Sequence, residues 1–254
     1  MSILFSGDFR ADKKPKYYSI TKDKLIEKYG QENYDRLKYH IILGDGGFMW
    51  PGKEEINKCN IEMLAGRPFP VLCVIGDKDP ALGMKNVPET DIGIGETVYQ
   101  IQDKPFIAYL KRGKVYIIDG FKFLVLGGAL SPEKKHLKPN ETWWEREYWS
   151  EEEKKAVFKL LETENNFDCI LSHTGPHRIN ELTVGLRNGS YMKLHDEVAD
   201  FNDEIHERID FREWWCGHWQ QDIAYYYKET NRNYRYLYQN TQILERHDNQ
   251  MIVR

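Results

Sequence analysis

Five short apolar runs along the chain each end in a carboxylate or an imidazole. Ile3-Leu-Phe-Ser-Gly-Asp8 comes first, then His40-Ile-Ile-Leu-Gly-Asp45 and Val71-Leu-Cys-Val-Ile-Gly-Asp77-Lys-Asp79. Cys169-Ile-Leu-Ser-His173 and Trp214-Trp-Cys-Gly-His218 follow much later. Runs of this length and β-branched content predict buried strands. The glycine that precedes most of these endings lets the backbone turn sharply and holds the polar residue at the strand's end.

Between the runs the pattern changes period. Leu25, Ile26, Tyr29, Tyr34 and Leu37 predict one or two amphipathic helices, broken at Gly30. Lys53–Leu64 predicts a helix with Ile56, Ile61 and Leu64 inward. Residues 79–97 read as a long loop near the strand ends, and Arg10–Tyr18 as a basic loop. Ile107–Leu110, Lys114–Asp119 and Phe121–Leu126 predict a meander, with a turn at Asp119-Gly120. Ser150 and Glu153 form a capping box that opens a helix to about Leu161. Leu194, Val198, Phe201, Ile205 and Ile209 predict a helix over 191–209. The tyrosine-rich runs Ile223–Tyr227 and Tyr234–Tyr238 read as a hairpin, with Thr241–Leu244 as a last strand.

Alternation of strand and helix followed by late hairpins predicts a layered α/β domain over residues 1–254, with no repeat and no linker that would divide it. The chain holds 36 basic and 40 acidic residues for a net charge of −4, so no global attraction to nucleic acid is implied. Cys59, Cys73, Cys169 and Cys216 show no C-x-x-C spacing, and three of them sit in strand-like runs. Free thiols in a reducing cytosol are the reading this supports. The first strand begins at once and the apolar runs are far too short to span a bilayer, so a cytoplasmic protein without a membrane partner is expected. No Gly-x-Ser-x-Gly occurs to suggest a serine hydrolase.

Taken singly, Asp45 in its Gly-Asp-Gly-Gly turn is a residue that caps the next element. Five strand ends delivering Asp or His together predict a cluster at the carboxyl edge of a sheet, where open α/β folds bind ligands. Oxygen and imidazole donors of this kind suit divalent metals.

On these stretches the sequence resembles the calcineurin-like metallophosphoesterases, over most of the chain. Gly7-Asp8-Phe9-Arg10, Gly44-Asp45, Gly76-Asp77-Lys78-Asp79, Ser172-His173 and Gly217-His218-Trp219-Gln220 stand, in order, where that family carries its motifs. The resemblance implies a four-layer sandwich of two mixed β-sheets flanked by helices. It implies one metal (Mn, Zn or Fe) held by Asp45, Asp77, His173 and His218, with Asp45 as the ligand that two metals share in the family. A second metal would fall to Asp8, Arg10, Asp45 and Gln220. Arg10 is always protonated and Gln220 offers only a neutral amide oxygen, so that site is expected to be degenerate, with the Arg10 charge in place of the ion.

Lys78 stands where the family has a histidine that assists the leaving group, and it can neutralise charge on a phosphoryl oxygen. The catalytic assignments implied are therefore Asp45, Lys78 and Arg10, with Asp79 steadying its neighbours. A solvated turn is the plainer reading of Lys78 and Asp79. His177, Trp143 and Trp144 read as loop residues that also lie where a substrate wall would be. The expected function is metal-dependent hydrolysis of a phosphomonoester or phosphodiester. A catalytically inactive relative that binds a phosphorylated ligand or a protein partner is the alternative. Expected partners are thus a phosphorylated substrate, including a nucleotide or nucleic acid, or a protein.

Overall fold

The structure, a computed structural model, describes residues 2–9, 20–50, 52–79, 86–131, 134–139, 141, 143, 145–185, 196–248 and 250–254. In chain order the strands begin with β1 (Ser2–Ser6), β2 (Leu37–Ile42), β3 (Val71–Cys73), β4 (Glu89–Thr90), β5 (Val98–Gln102) and β6 (Ile107–Tyr109). These join β13 (Thr241–His247) and β14 (Gln250–Val253) in an eight-stranded sheet of order β14-β13-β1-β2-β3-β6-β5-β4. The second sheet has β7 (Lys114–Ile118), β8 (Phe121–Val125), β9 (Cys169–Leu171), β10 (Glu213–Cys216), β11 (Ile223–Tyr227) and β12 (Arg232–Tyr236). Its order is β11-β12-β10-β9-β8-β7. Both sheets are mixed: β1, β2, β3 and β6 run parallel, as do β8, β9, β10 and β12, with antiparallel strands at the margins.

Strand alternation builds the layers. Ile3 and Phe5 of β1 face the second sheet while Leu4 faces out, and Trp215 of β10 faces the first sheet while Trp214 faces out. The Phe5 and Trp215 rings stack across the inter-sheet core with centroids 4.3 Å apart. Burying one such ring stabilises by roughly 1.5–3 kcal/mol, so this layer holds the two sheets in register. Helices α1 (Lys22–Tyr29), α2 (Gln31–Asp35) and α3 (Glu54–Met63) cover the outer face of the first sheet. Helices α4 (Glu151–Leu161), α5 (His177–Thr183) and α6 (Glu197–His206) cover that of the second. The result is the four-layer α/β sandwich that the family resemblance implies. Among the described residues, no helix is long and apolar enough to cross a membrane.

Several element assignments change. Gly30 does break the first helical segment, but Leu37 belongs to β2, where it pairs with Ser2. The expected meander is divided: β7 and β8 form the hairpin through Asp119-Gly120, whereas β6 pairs in parallel with β3 in the other sheet. A run of apolar residues states that a strand is buried, not which sheet buries it. On α3, Ile56 and Ile61 are half-buried and the fully buried side chain is Asn60. Its amide donates to the Gly47 carbonyl at 2.8 Å. The capping box at Ser150 and Glu153 is present. The later helix starts at Asp196, whose carboxylate accepts from Val198 and Ala199, and ends at His206, short of Ile209. The Tyr191–His195 part of that expectation and the loop Arg10–Tyr18 lie outside the described residues. β4, β14 and α5 carry too little periodicity to be seen in advance. Cys73, Cys169 and Cys216 are buried and free, and Cys59 is exposed and free.

Candidate metal centre

The five polar strand ends meet, but from two sheets. β1, β2 and β3 are neighbours in the first sheet and deliver Asp8, Asp45 and Asp77. β9 and β10 are neighbours in the second and deliver His173 and His218. The cluster therefore spans the carboxyl edge of both sheets, where the parallel strands end.

Close approach of these loops explains the glycines. A Cβ on Gly44 would stand 2.1 Å from Nδ1 of His173, and one on Gly76 would stand 2.3 Å from Oδ1 of Asp45. Only a residue without a side chain permits that contact. Asp45 and His218 themselves adopt left-handed backbone, with φ of 52° and 64°. For His218 this conformation costs about 1–3 kcal/mol and is held by the surrounding packing.

His173 is completely buried and fixed at both ends. Its Nδ1 lies 2.7 Å from the Leu43 carbonyl, which can only accept, so Nδ1 carries a proton. Its Nε2 consequently points at the carboxylates, 3.0 Å from Oδ1 of Asp77 and 3.6 Å from Oδ1 of Asp45. Nδ1 of His218 lies 3.4 Å from the same Asp77 oxygen. The His218 backbone amide donates to Oδ1 of Asp8 at 2.8 Å, so Asp8 anchors the loop that bears the imidazole. One donor atom each from Asp77, His173 and His218 fits within a 4.8 Å span. Ligands about 2 Å from a shared ion stand up to about 4 Å apart, so a small contraction suffices to enclose one.

Asp8, Asp45, Asp77 and Asp79 are all buried within this small volume. Burial and the neighbouring Asp77 charge push the Asp45 carboxyl up to about 8. Burial acts to raise Asp77 too, but the Lys78 ammonium and hydrogen bonds from His173 and His218 hold it well below the usual carboxylate range. For His173, burial opposes ionisation, yet Asp45 and the bond to Asp77 raise it to about 10. An imidazolium here stands in for a cation among carboxylates, and its Nε2 proton is the one exchanged when a metal binds. The donor set and its negative charge fit a divalent ion.

No family model and no curated protein matches the sequence. Solved structures do match in fold. TT1561 of Thermus thermophilus superposes with a TM-score of 0.53 at 12% identity, over 100% of this chain and 97% of that one. GAP50, the anchor in the inner membrane complex of Plasmodium, gives 0.53 at 9% identity, over 100% of this chain and 83% of that one. The chain has the calcineurin-like metallophosphoesterase fold. Within this metallophosphoesterase fold, the places where the sequence departs from the family pattern can be located. Lys78 is only 13% exposed, with its ammonium 2.6 Å from Oδ2 of Asp77 and 3.1 Å from Oγ of Ser131. It is thus tied to the cluster's own carboxylate. Gln220 is exposed, and among the described residues it makes no hydrogen bond to the cluster. Arg10, expected to replace an ion, lies outside the described residues, as do Trp144 and His195.

Asp79, expected to steady its neighbours, and residues that the sequence did not single out complete the surroundings. Asp79 is no solvated turn residue. It is buried and accepts from the backbone of Gly46, Gly47 and Gly76 and from the Tyr109 hydroxyl. It joins the loops that carry Asp45 and Asp77. On the other side, Asn202 of α6 donates to the Thr174 carbonyl at 2.9 Å, and Asn180 of α5 donates to the Gly175 carbonyl at 3.0 Å. These amides hold the loop just after His173. His177 lies at the start of α5 between Glu181 and Asp200, a surface arrangement. Trp143 packs near Tyr148, with the Lys134 ammonium over both rings.

Proposed function

We propose that the protein is a metal-dependent phosphoesterase with one metal site, held by Asp45, Asp77, His173 and His218. The observation that carries this reading is the His173 ring. Its Nδ1 is committed to the Leu43 carbonyl, which leaves Nε2 aimed at both Asp77 and Asp45. Outer contacts of this kind fix the tautomer of metal-ligating histidines.

A divalent ion at such a site supplies Lewis acidity toward a phosphoryl oxygen and a water of lowered pKa. The chain's own residues do the rest. Asp8 and Asp79 hold the His218 and Asp77 loops in place through backbone amides. The Lys78 ammonium offsets negative charge beside Asp77 and, with substrate present, on the phosphoryl group. The substrate class is a phosphomonoester or phosphodiester, including nucleotides and nucleic acid.

The test is hydrolysis of bis(p-nitrophenyl) phosphate and a nucleotide panel with Mn, Zn or Mg added. Metal-dependent turnover that Asp45→Asn abolishes supports the enzyme. A second reading is a non-catalytic relative that binds a phosphorylated ligand or a protein partner. The Lys78–Asp77 ion pair favours it, since an ammonium already satisfies one carboxylate oxygen. A fold neighbour described as an anchor is in keeping with it. That reading prevails if the native chain is inert while Lys78→His combined with Gln220→His and Arg10→His turns over.

A further inference from the structure

The Lys78 ammonium is tied at two points that differ in what they fix. Its 2.6 Å contact with Oδ2 of Asp77 joins neighbours in sequence, a pairing that a flexible four-carbon stem can keep in many arrangements. The second tie reaches across the fold. The ammonium donates to Oγ of Ser131 at 3.1 Å, 53 positions further along the chain. A lysine side chain samples many rotamers when unrestrained, so the distant partner decides which one it keeps. Among the described residues, Lys78 is the one hydrogen-bond partner of that hydroxyl.

Ser131 is delivered by a loop with little room to move. The Gly128 amide donates at 2.8 Å to the carbonyl of Ile75, just beyond β3, and the Trp149 indole donates at 3.1 Å to the Gly127 carbonyl. A Cβ on Gly128 would stand 2.2 Å from the Glu147 carbonyl oxygen, so a residue without a side chain is required where the loop is clamped. The Lys134 amide closes the following turn on the Ser131 carbonyl at 3.0 Å. The root of Lys78 is fixed as well, its own amide donating to Oδ1 of Asp45 at 2.9 Å. Ser131 and Asp77 are buried, whereas the Lys78 side chain keeps some exposure. Of the three, Lys78 is the residue that an incoming ligand meets.

We infer that Ser131 is a positioning residue for Lys78: its hydroxyl holds the ammonium at the open side of the carboxylate and imidazole cluster, where it meets an oxygen of the bound phosphoryl group. Charge placed in advance stabilises a transition state without reorganisation during the reaction. The meeting with a phosphoryl group rests on the function proposed above; the placing of the ammonium does not.

Ser131→Ala removes the acceptor, and Ser131→Thr keeps it. 1H–15N spectra tuned to lysine NH3+ groups detect an ammonium that is hydrogen-bonded and shielded from exchange with water. The metal-free native chain is expected to show a Lys78 Nζ cross-peak, assigned by its absence in Lys78→Met. Ser131→Ala is expected to lose that cross-peak and Ser131→Thr to keep it, both with a native melting temperature. With saturating Mn2+, Ser131→Ala is expected to lower kcat for bis(p-nitrophenyl) phosphate by roughly 10–100-fold, with KM and Mn2+ affinity near native and turnover restored in Ser131→Thr.

A cross-peak or a kcat that survives Ser131→Ala overturns the inference, and so does a native chain without the cross-peak. A joint fall of melting temperature, Mn2+ affinity and kcat overturns it too, since Ser131 would then only pack the loop. If the native chain hydrolyses no phosphoester, the enzyme reading fails while the metal-free spectra still decide the role of Ser131. Should the threonine methyl prevent folding, the native chain and Ser131→Ala decide.

Discussion

The hydroxyl of Tyr109 donates to Oδ1 of Asp79 across 2.7 Å, linking the end of β6 to the loop that follows β3. Together with the amides of Gly46, Gly47 and Gly76, the bond gives a buried carboxylate four donors. Two site loops are thereby fastened to one side chain, and the spacing of Asp45 from Asp77 follows from it.

Tyr109→Phe removes one of those donors and keeps the ring against Phe48. Hydrogen bonds to charged groups contribute about 1.5–3 kcal/mol, and a loss in that range is expected in urea unfolding. Because three amides remain on Asp79, the variant is expected to fold. A change below about 0.5 kcal/mol would show that the hydroxyl does not share the charge.

Gly76→Ala tests the closeness of the loops directly. The added methyl would meet both the backbone nitrogen and Oδ1 of Asp45, at 2.4 and 2.3 Å. Neither atom can yield without moving the strand end. Overpacking of this kind costs about 1–3 kcal/mol. Mn2+ affinity is expected to fall alongside stability, because Asp45 moves relative to Asp77. Undiminished affinity in calorimetry would mean that Asp45 is not part of the ion's site.

What could be foreseen from the sequence was local. Strand runs that end in Gly-Asp, Ser-His or Gly-His announce their chemistry within a few residues, so Asp8, Asp45, Asp77, His173 and His218 stood out, as did the Ser150 capping box and the Asp119-Gly120 hairpin. The fastening of the cluster is non-local and left no such mark. Tyr109 is one aromatic residue in an apolar run, and only pairing of β6 with β3 brings it to Asp79. Asn202 occupies a polar position on an amphipathic helix, and only the docking of α6 turns it toward Thr174. The division of β6 and β7 between two sheets is equally invisible, since both runs are apolar on either side of a turn.

Stability of the metal-free chain is expected to fall as pH rises from about 6 to 10. His173 titrates near 10 in the fold against 6.5 for an ordinary imidazole. Its stabilising charge is fully present below 6.5 and is lost as pH climbs through 10. Asp45 acts in the same direction. Its carboxyl, raised from 3.8 to about 8, favours the folded chain at low pH and ceases to do so as pH rises through 8. Metal binding reverses the trend, since it needs His173 without its Nε2 proton. Melting curves in EDTA should therefore decline from pH 6 to 9, and the gain produced by Mn2+ should grow over the same interval. A metal-induced gain that is flat with pH would separate His173 from the ion.

Lys78 separates binding from turnover. Its ammonium is held by Oδ2 of Asp77, so a divalent ion attached to the other Asp77 oxygen meets a like charge nearby. Replacing Lys78 by Met keeps much of the stem's volume and removes the charge, which relieves that repulsion and frees a carboxylate oxygen. Mn2+ affinity is accordingly expected to rise several-fold. If the same ammonium stabilises charge on a phosphoryl group, phosphodiester turnover at saturating metal falls by about 100–1000-fold while affinity improves, since the loss of one such donor costs about 2.7–4 kcal/mol. Opposite movement of the two quantities marks a residue that serves the reaction at the expense of the ion. A parallel rise in both would show that Lys78 only occupies Asp77, and a parallel fall would show that it holds the Asp77 loop in shape.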